Sequence, residues 1–336
     1  MPDGGVPAPA AEGPGAGRYA AAVDDALDRL VDVGFEFGPD FAMHAPMAAE
    51  TLVTLDHPDE VPSWIERNLR RRRSYAPPPP MEPIPAGDLA GRRAALGDYR
   101  RVTDWVEYFD RRLAEEPWRD VVARWWPVLL DGAFAAFTHG LIRTAHAVRI
   151  LRTAPKPSGL QLNELARGLA YWAARFTPVR GPGGTGEIPV TLAARVPADR
   201  VPAALSELTV VNAGLYAEYA PRPPVPAVHT VTAPAAVRLV LPILPEELWA
   251  PSYAAAEALA AQVWAVSRGF SGKGAPLPDG DPPAADALVE QAVEIGEEHA
   301  IKLAEACRRE YALRPDPRYL AAAHTLNVNC RHEGGL

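Results

Sequence analysis

Cysteine, lysine and long apolar runs are all scarce in this 336-residue chain. Two cysteines, Cys307 and Cys330, are too few for a disulfide framework and are expected as free thiols of a cytoplasmic protein. No apolar stretch of about 18 residues is evident, so no membrane span is expected. The start, MPDGGVPAPAAEGPGAGR, lacks the basic beginning and apolar centre of a signal peptide. Residues 1–18 therefore read as a disordered Pro/Gly/Ala-rich leader, followed by one domain over 19–330. Concentrated positive charge is missing too. A formal net charge of -8 argues against a nucleic-acid partner. The one basic run, 70-RRRR-73, follows the amphipathic 59-DEVPSWIERNL-69 and reads as a solvated helix end, favoured by the helix dipole.

Strand-like alternation is rare, whereas apolar residues recur at three and four spacings in 19–34, 104–116, 118–137 and 161–176. Further helices are expected over 200–218, 246–270 and 283–312, the last as one long amphipathic run. The fold class is therefore all-α, a single large multi-helix domain. The 37 prolines cluster at 76–85, 221–226 and 275–283, which predicts long, stiff connecting loops. The glycine clusters 13-GPGAG-17 and 181-GPGGTG-186 lie in such loops with no apolar strand before them, so a Rossmann nucleotide site is not expected.

What the chain does have is histidine inside apolar helices. Of eight histidines, His57, His229 and His332 read as loop or tail residues. His44, His139, His146, His299 and His324 lie at or within apolar helices, where a buried imidazole needs a partner on each ring nitrogen. Singly, each is more often a satisfied core residue than a ligand. Together they call for a common cause, and a metal ion supplies one: imidazole without thiolate suits iron, zinc, copper or nickel. His299 and Lys302 are three residues apart and can share a helix face. His139 and His146 are seven apart, about 10.5 Å along a helix axis, so an ion shared by both must sit between them. His44, His139, His146, His299 and Lys302 form the candidate metal set, with His324 in reserve.

Lys302 stands out because only three of 34 basic residues are lysine, the others being Lys156 and Lys273 in Pro/Gly-rich loops. An ammonium cannot bind a metal. Burial lowers an amine's pKa, and the neutral amine can take up CO₂ to become a carbamate that ligates as a carboxylate does. The plainer expectation is an ion pair with Glu298 or Glu305 on the same helix. Aromatic residues crowd the flanks of His139, and Phe134, Phe137 and Trp172 are the candidate lining of a flat substrate pocket, although ordinary core packing explains most such residues. Arg143, one turn beyond His139, could orient a phenolate or quinone oxygen, or pair with Asp131 or Glu50.

The segments 41-FAMHAPMAAETLVTL-55, 137-FTHGLIRTAHAVRIL-151, 167-RGLAYWAARF-176 and 298-EHAIKLAEACRRE-310 resemble the questin oxidase family over about residues 20–330. The resemblance implies a mostly helical fold and oxygen-dependent cleavage of polycyclic aromatic ketones such as anthraquinones. It implies a non-haem iron centre, with His44, His139, His299 and Lys302 as the residues that carry over best. His146 carries over less well, because the family places a second histidine where this chain has Arg143. NADPH enters as a reductant. Three alternatives stand beside this reading: a metal-dependent hydrolase with a carbamylated lysine, an NADPH-dependent Baeyer-Villiger-type oxidation without a bound metal, and a non-catalytic helical scaffold. The expected partners are a small aromatic molecule and O₂.

Overall fold

The computed structural model describes residues 14–85, 87, 89–179, 196–219, 224–270 and 280–332. Among these residues there are fourteen α-helices and one two-stranded antiparallel hairpin, Glu36–Phe37 with Phe41–Ala42. The helices are α1 (Pro14–Arg29), α2 (Ala45–Thr54), α3 (Val61–Arg71), α4 (Leu89–Ala94), α5 (Val102–Glu115), α6 (Trp118–Leu130) and α7 (His139–Thr153). They continue as α8 (Gly159–Ala174), α9 (Val201–Tyr219), α10 (Val225–Val240), α11 (Trp249–Phe270), α12 (Ala285–Ile295), α13 (Glu298–Leu313) and α14 (Pro317–His332). The all-α expectation holds.

Two apolar clusters share the interior. One gathers Trp105, Trp125, Trp126 and Trp172 between α5, α6 and α8, and the other joins α1–α3 to α9 and α12–α14. Helices α7 and α10 feed both clusters: Leu141 and Val237 belong to the first, Ile150 and Val228 to the second. The approach of α7 to α8 depends on absent side chains. A Cβ on Gly140 would lie 2.7 Å from Trp172 Cα, and one on Gly168 would lie 3.1 Å from Thr144 Cα. A capping box then starts α8 cleanly, with Ser158 Oγ accepting from Gln161 N and the Gln161 side chain accepting from Ser158 N.

Four sequence expectations change. Residues 14–18 of the expected leader belong to α1. The run over 118–137 stops as a helix at Leu130, and the backbone of Ala136, Phe137 and Thr138 turns left-handed. The run over 283–312 is two helices, because Gly296 (φ +71°) ends α12 and Glu297 starts α13 afresh. Finally, Val225–Ile243 is long and apolar enough to cross a membrane, but 78% of that window is buried inside the protein. It is a core helix, and it places His229 in α10 and not in a connector. Neither cysteine forms a disulfide among the described residues, as expected, and both are buried. The 181–186 glycine cluster and Lys273 lie outside the described residues.

Candidate metal centre

Helices α2, α7, α10 and α13 each bring one histidine to the same place. His44 occupies the N-cap position of α2 yet makes no capping bond, so its ring is free to turn inward. His139 is the first residue of α7, His299 lies in the first turn of α13, and His229 sits one turn into α10. The ring centroids of His44 lie 4.5 Å from His139 and 4.4 Å from His299, and His229 lies 4.5 Å from His139. One ring nitrogen from each of His44, His139 and His299 falls within a 4.8 Å set, and all three residues are buried.

In all four rings Nδ1 faces an oxygen. His139 Nδ1 lies 2.6 Å from Ala136 O, His299 Nδ1 lies 2.7 Å from Glu297 Oε1, and His229 Nδ1 lies 3.0 Å from Thr138 Oγ1. His44 Nδ1 lies 3.3 Å from Glu298 Oε1, too poorly aligned for a hydrogen bond, so that contact is electrostatic. A carbonyl or carboxylate beside Nδ1 fixes the tautomer with the proton there and leaves the Nε2 lone pair free, the arrangement that outer partners impose on metal-binding histidines. The consequence shows at His299, whose buried Nε2 has no hydrogen-bond partner. It shows again where His44 Nε2 and His139 Nε2 meet at 2.5 Å, closer than the heavy atoms of an ordinary hydrogen bond from nitrogen. Burial, reinforced by the Lys302 charge, holds the His44 and His139 imidazoles well below their usual range, and burial does the same for His229. These rings are neutral at pH 7 and able to donate electron pairs.

Backbone strain is concentrated beside the cluster. Ala136 (φ +45°), Phe137 (φ +56°) and Thr138 (φ +73°) are three consecutive non-glycine residues in the left-handed region, where each costs on the order of 1–3 kcal/mol. The turn they make aims Ala136 O at His139 and Thr138 Oγ1 at His229. Thr138 stands at the N-cap of α7 but its hydroxyl caps nothing there. On α13, Glu297 both caps and positions: Oε2 accepts from His299 N and Ala300 N at 2.7 and 2.9 Å, while Oε1 takes His299 Nδ1.

Lys302, one turn beyond His299, is buried and makes no ion pair with Glu298 or Glu305 among the described residues. Glu298 lies 2.6 Å from Arg72, and Glu305 is engaged by Arg149 at 2.6 Å and Arg309 at 2.9 Å. Burial brings the Lys302 amine down to about 8, against the pull of Glu298 and Glu297. A cavity of about 10 Å³, roughly one water in size, adjoins it beside His146, Thr232 and Glu305.

The remaining candidates separate. His146 lies in a different network: its Nδ1 is 2.7 Å from Glu50 Oε2, which also meets Arg149, so the two-turn spacing carries it away from the other three. His324 is half-buried on α14 and stands outside the set. Arg143 pairs with neither Asp131 nor Glu50; Nε and Nη2 each reach Glu164 at 2.7 Å, tying α7 to α8. Trp172 is wholly buried under Gly140 and edge-on to Trp126, a packing residue. Phe137 does border the cluster, its ring 5.4 Å from His229 and 5.3 Å from the half-buried Phe134.

Sequence reasoning missed Glu297, read His229 as a loop residue, gave Glu298 to Lys302 as an ion-pair partner and read Arg72 as part of a solvated helix end. The acidic pair just before His299 was a usable signal. His229 had none beyond the apolar residues that follow it, because a proline-rich lead-in disguised the helix start. Compared with known proteins, the chain matches no family model and no curated sequence.

Proposed function

We propose that this chain is an oxidoreductase that acts with O₂ on an aromatic ketone or quinone at a mononuclear non-haem metal centre, with iron as the expected ion. The observation that carries the metal reading is the buried, partnerless His299 Nε2, in a ring whose Nδ1 is already engaged by Glu297 and which stands beside His44 and His139. His44, His139 and His299 would hold the ion, with His229 beside them. A bound iron supplies the oxygen activation that no described side chain offers.

The chain's own residues do the rest. Glu297, Ala136 O and Thr138 orient three of the rings, and Phe137 with Phe134 forms an apolar border suited to a flat substrate. Lys302 fits the carbamate reading on charge. Taking both carboxylates as ionised, Glu297 and Glu298 balance Arg72 and the Lys302 ammonium, so a divalent ion would leave a net charge of +2 in a buried site. Loss of one proton gives the neutral amine, and its reaction with CO₂ forms one C–N bond and releases a second proton, which together restore neutrality. The resemblance to the questin oxidase family supports the oxygenase assignment and brings in NADPH as a reductant.

A hydrolase is the second reading, because the same donor set with a carbamylated lysine also suits water activation. Elemental analysis of untagged protein, followed by oxygen-electrode measurements with quinones, separates the two. Near-stoichiometric iron with substrate-dependent oxygen uptake supports the oxygenase. Zinc with no oxygen uptake assigns the hydrolase, and metal-free protein that takes up no added iron or zinc removes both.

A further inference from the structure

The arginine run at the end of α3 borders a cleft of about 270 Å³ whose lining includes Glu297 and Glu298, the carboxylates beside His299 and His44. Arg67, Asn68, Arg71 and Arg72 form one wall, and residues 294–298, from the end of α12 to the start of α13, form the other. The carboxylates of this cleft are already engaged: Glu298 with Arg72, Glu297 with His299 and the α13 backbone, and Glu294 with Arg331 at 3.5 Å. The guanidiniums are not all matched. Arg67 donates only to Ser63 Oγ, and Arg71 is exposed with no carboxylate partner among the described residues. Between them Asn68 is 6% exposed, and its Oδ1 has no hydrogen-bond partner. Leaving a buried acceptor unpaired costs about 1–3 kcal/mol, so this atom calls for a donor.

We propose that this cleft binds a small hydroxylated organic oxyanion, a carboxylate or a phosphate monoester, with Arg67 and Arg71 taking the anionic group and Asn68 Oδ1 accepting from a ligand hydroxyl. Planar guanidiniums one turn apart suit the oxygens of either anion, and the buried amide oxygen requires a ligand that is not an anion alone. The inference does not rest on the metal reading: none of the three residues contacts the histidines, and Asn68 reaches that site only through its Nδ2, which donates to Glu298 Oε2 at 3.4 Å.

Isothermal titration calorimetry of the full chain at low ionic strength, with L-malate and with ribose 5-phosphate, tests it. Binding of at least one probe is expected, about tenfold or more weaker in the Arg67→Ala/Arg71→Ala double variant, with metal content unchanged. Both substitutions fall on exposed side chains, so the variant should keep the parent melting temperature. Heat from malate alone assigns a hydroxy acid, and heat from ribose 5-phosphate alone assigns a phosphate monoester. Absence of binding by both probes, or equal binding by the double variant, overturns the proposal.

Discussion

Glu297 serves His299 twice over: one carboxylate oxygen accepts from the His299 backbone N–H and the other from its ring Nδ1. One side chain thus begins α13 and fixes a candidate ligand. Glu297→Gln should lower metal affinity roughly 10- to 100-fold through the ring contact, with a loss of about 1 kcal/mol through the weakened cap. Competition with a fluorescent chelator measures the first and denaturant unfolding the second. Stability that falls while metal affinity holds would show that Glu297 is only a cap.

Chelation should cost stability as well as metal. Binding to the native state alone contributes about 4 kcal/mol at a thousandfold excess over Kd, so removing the ion should lower Tm by roughly 5 °C or more. His299→Ala should abolish that chelator-dependent difference, as read by scanning calorimetry with and without metal.

Thr138→Val keeps the shape and removes the hydroxyl that meets His229. That hydroxyl caps no helix but is the partner of the buried His229 Nδ1, so stability should fall by about 1–3 kcal/mol. Metal affinity should fall about tenfold, and Thr138→Ser should restore it. An unchanged affinity in Thr138→Val would place His229 outside the coordination set.

Lys302 gives a pH signature in metal-free protein held without CO₂. Its folded pKa of about 8 lies below the ordinary 10.5, so burying the ammonium costs stability in full below pH 8. As pH rises from 8 towards 10.5 the folded amine is neutral while the unfolded one still binds a proton, and stability recovers by roughly 3 kcal/mol at most. Urea unfolding of parent and Lys302→Met across that window should show the recovery in the parent and lose it in the variant.

Gly140→Ala tests how the α7 backbone sets His139. The added carbon would meet Trp172 Cα at 2.7 Å, a contact that only a shift of α7 or α8 relieves. Stability should fall by about 1–3 kcal/mol, and metal content should fall with it.

Much of this arrangement was legible in the sequence, and the rest was hidden for physical reasons. Helical periodicity placed α5, α8 and α9 to within a few residues, because their apolar faces pack on well-formed cores. His44, His139 and His299 stood out for the same reason, as polar residues on apolar helices. Periodicity could not show the breaks. The 118–137 run stops as a helix at Leu130 and leads into a three-residue left-handed turn, and a single glycine splits 283–312, yet these two interruptions deliver Thr138 and Glu297 to the histidines. Partner choice was equally hidden: Arg143 finds Glu164 on the neighbouring helix, and Glu50 finds His146 and Arg149. Those pairings depend on helix packing that no local pattern reports.

The histidines of the centre come from residue 44 at one extreme to residue 299 at the other, with 139 and 229 between. No fragment that omits either end of that span can present the full set. An ion held there would therefore arrive last, after α2, α7, α10 and α13 have assembled, and would fasten distant stretches of chain in a single step. Metal retention is then a measure of whole-chain integrity: a nick or truncation far from any ligand should release the ion as surely as the loss of a histidine.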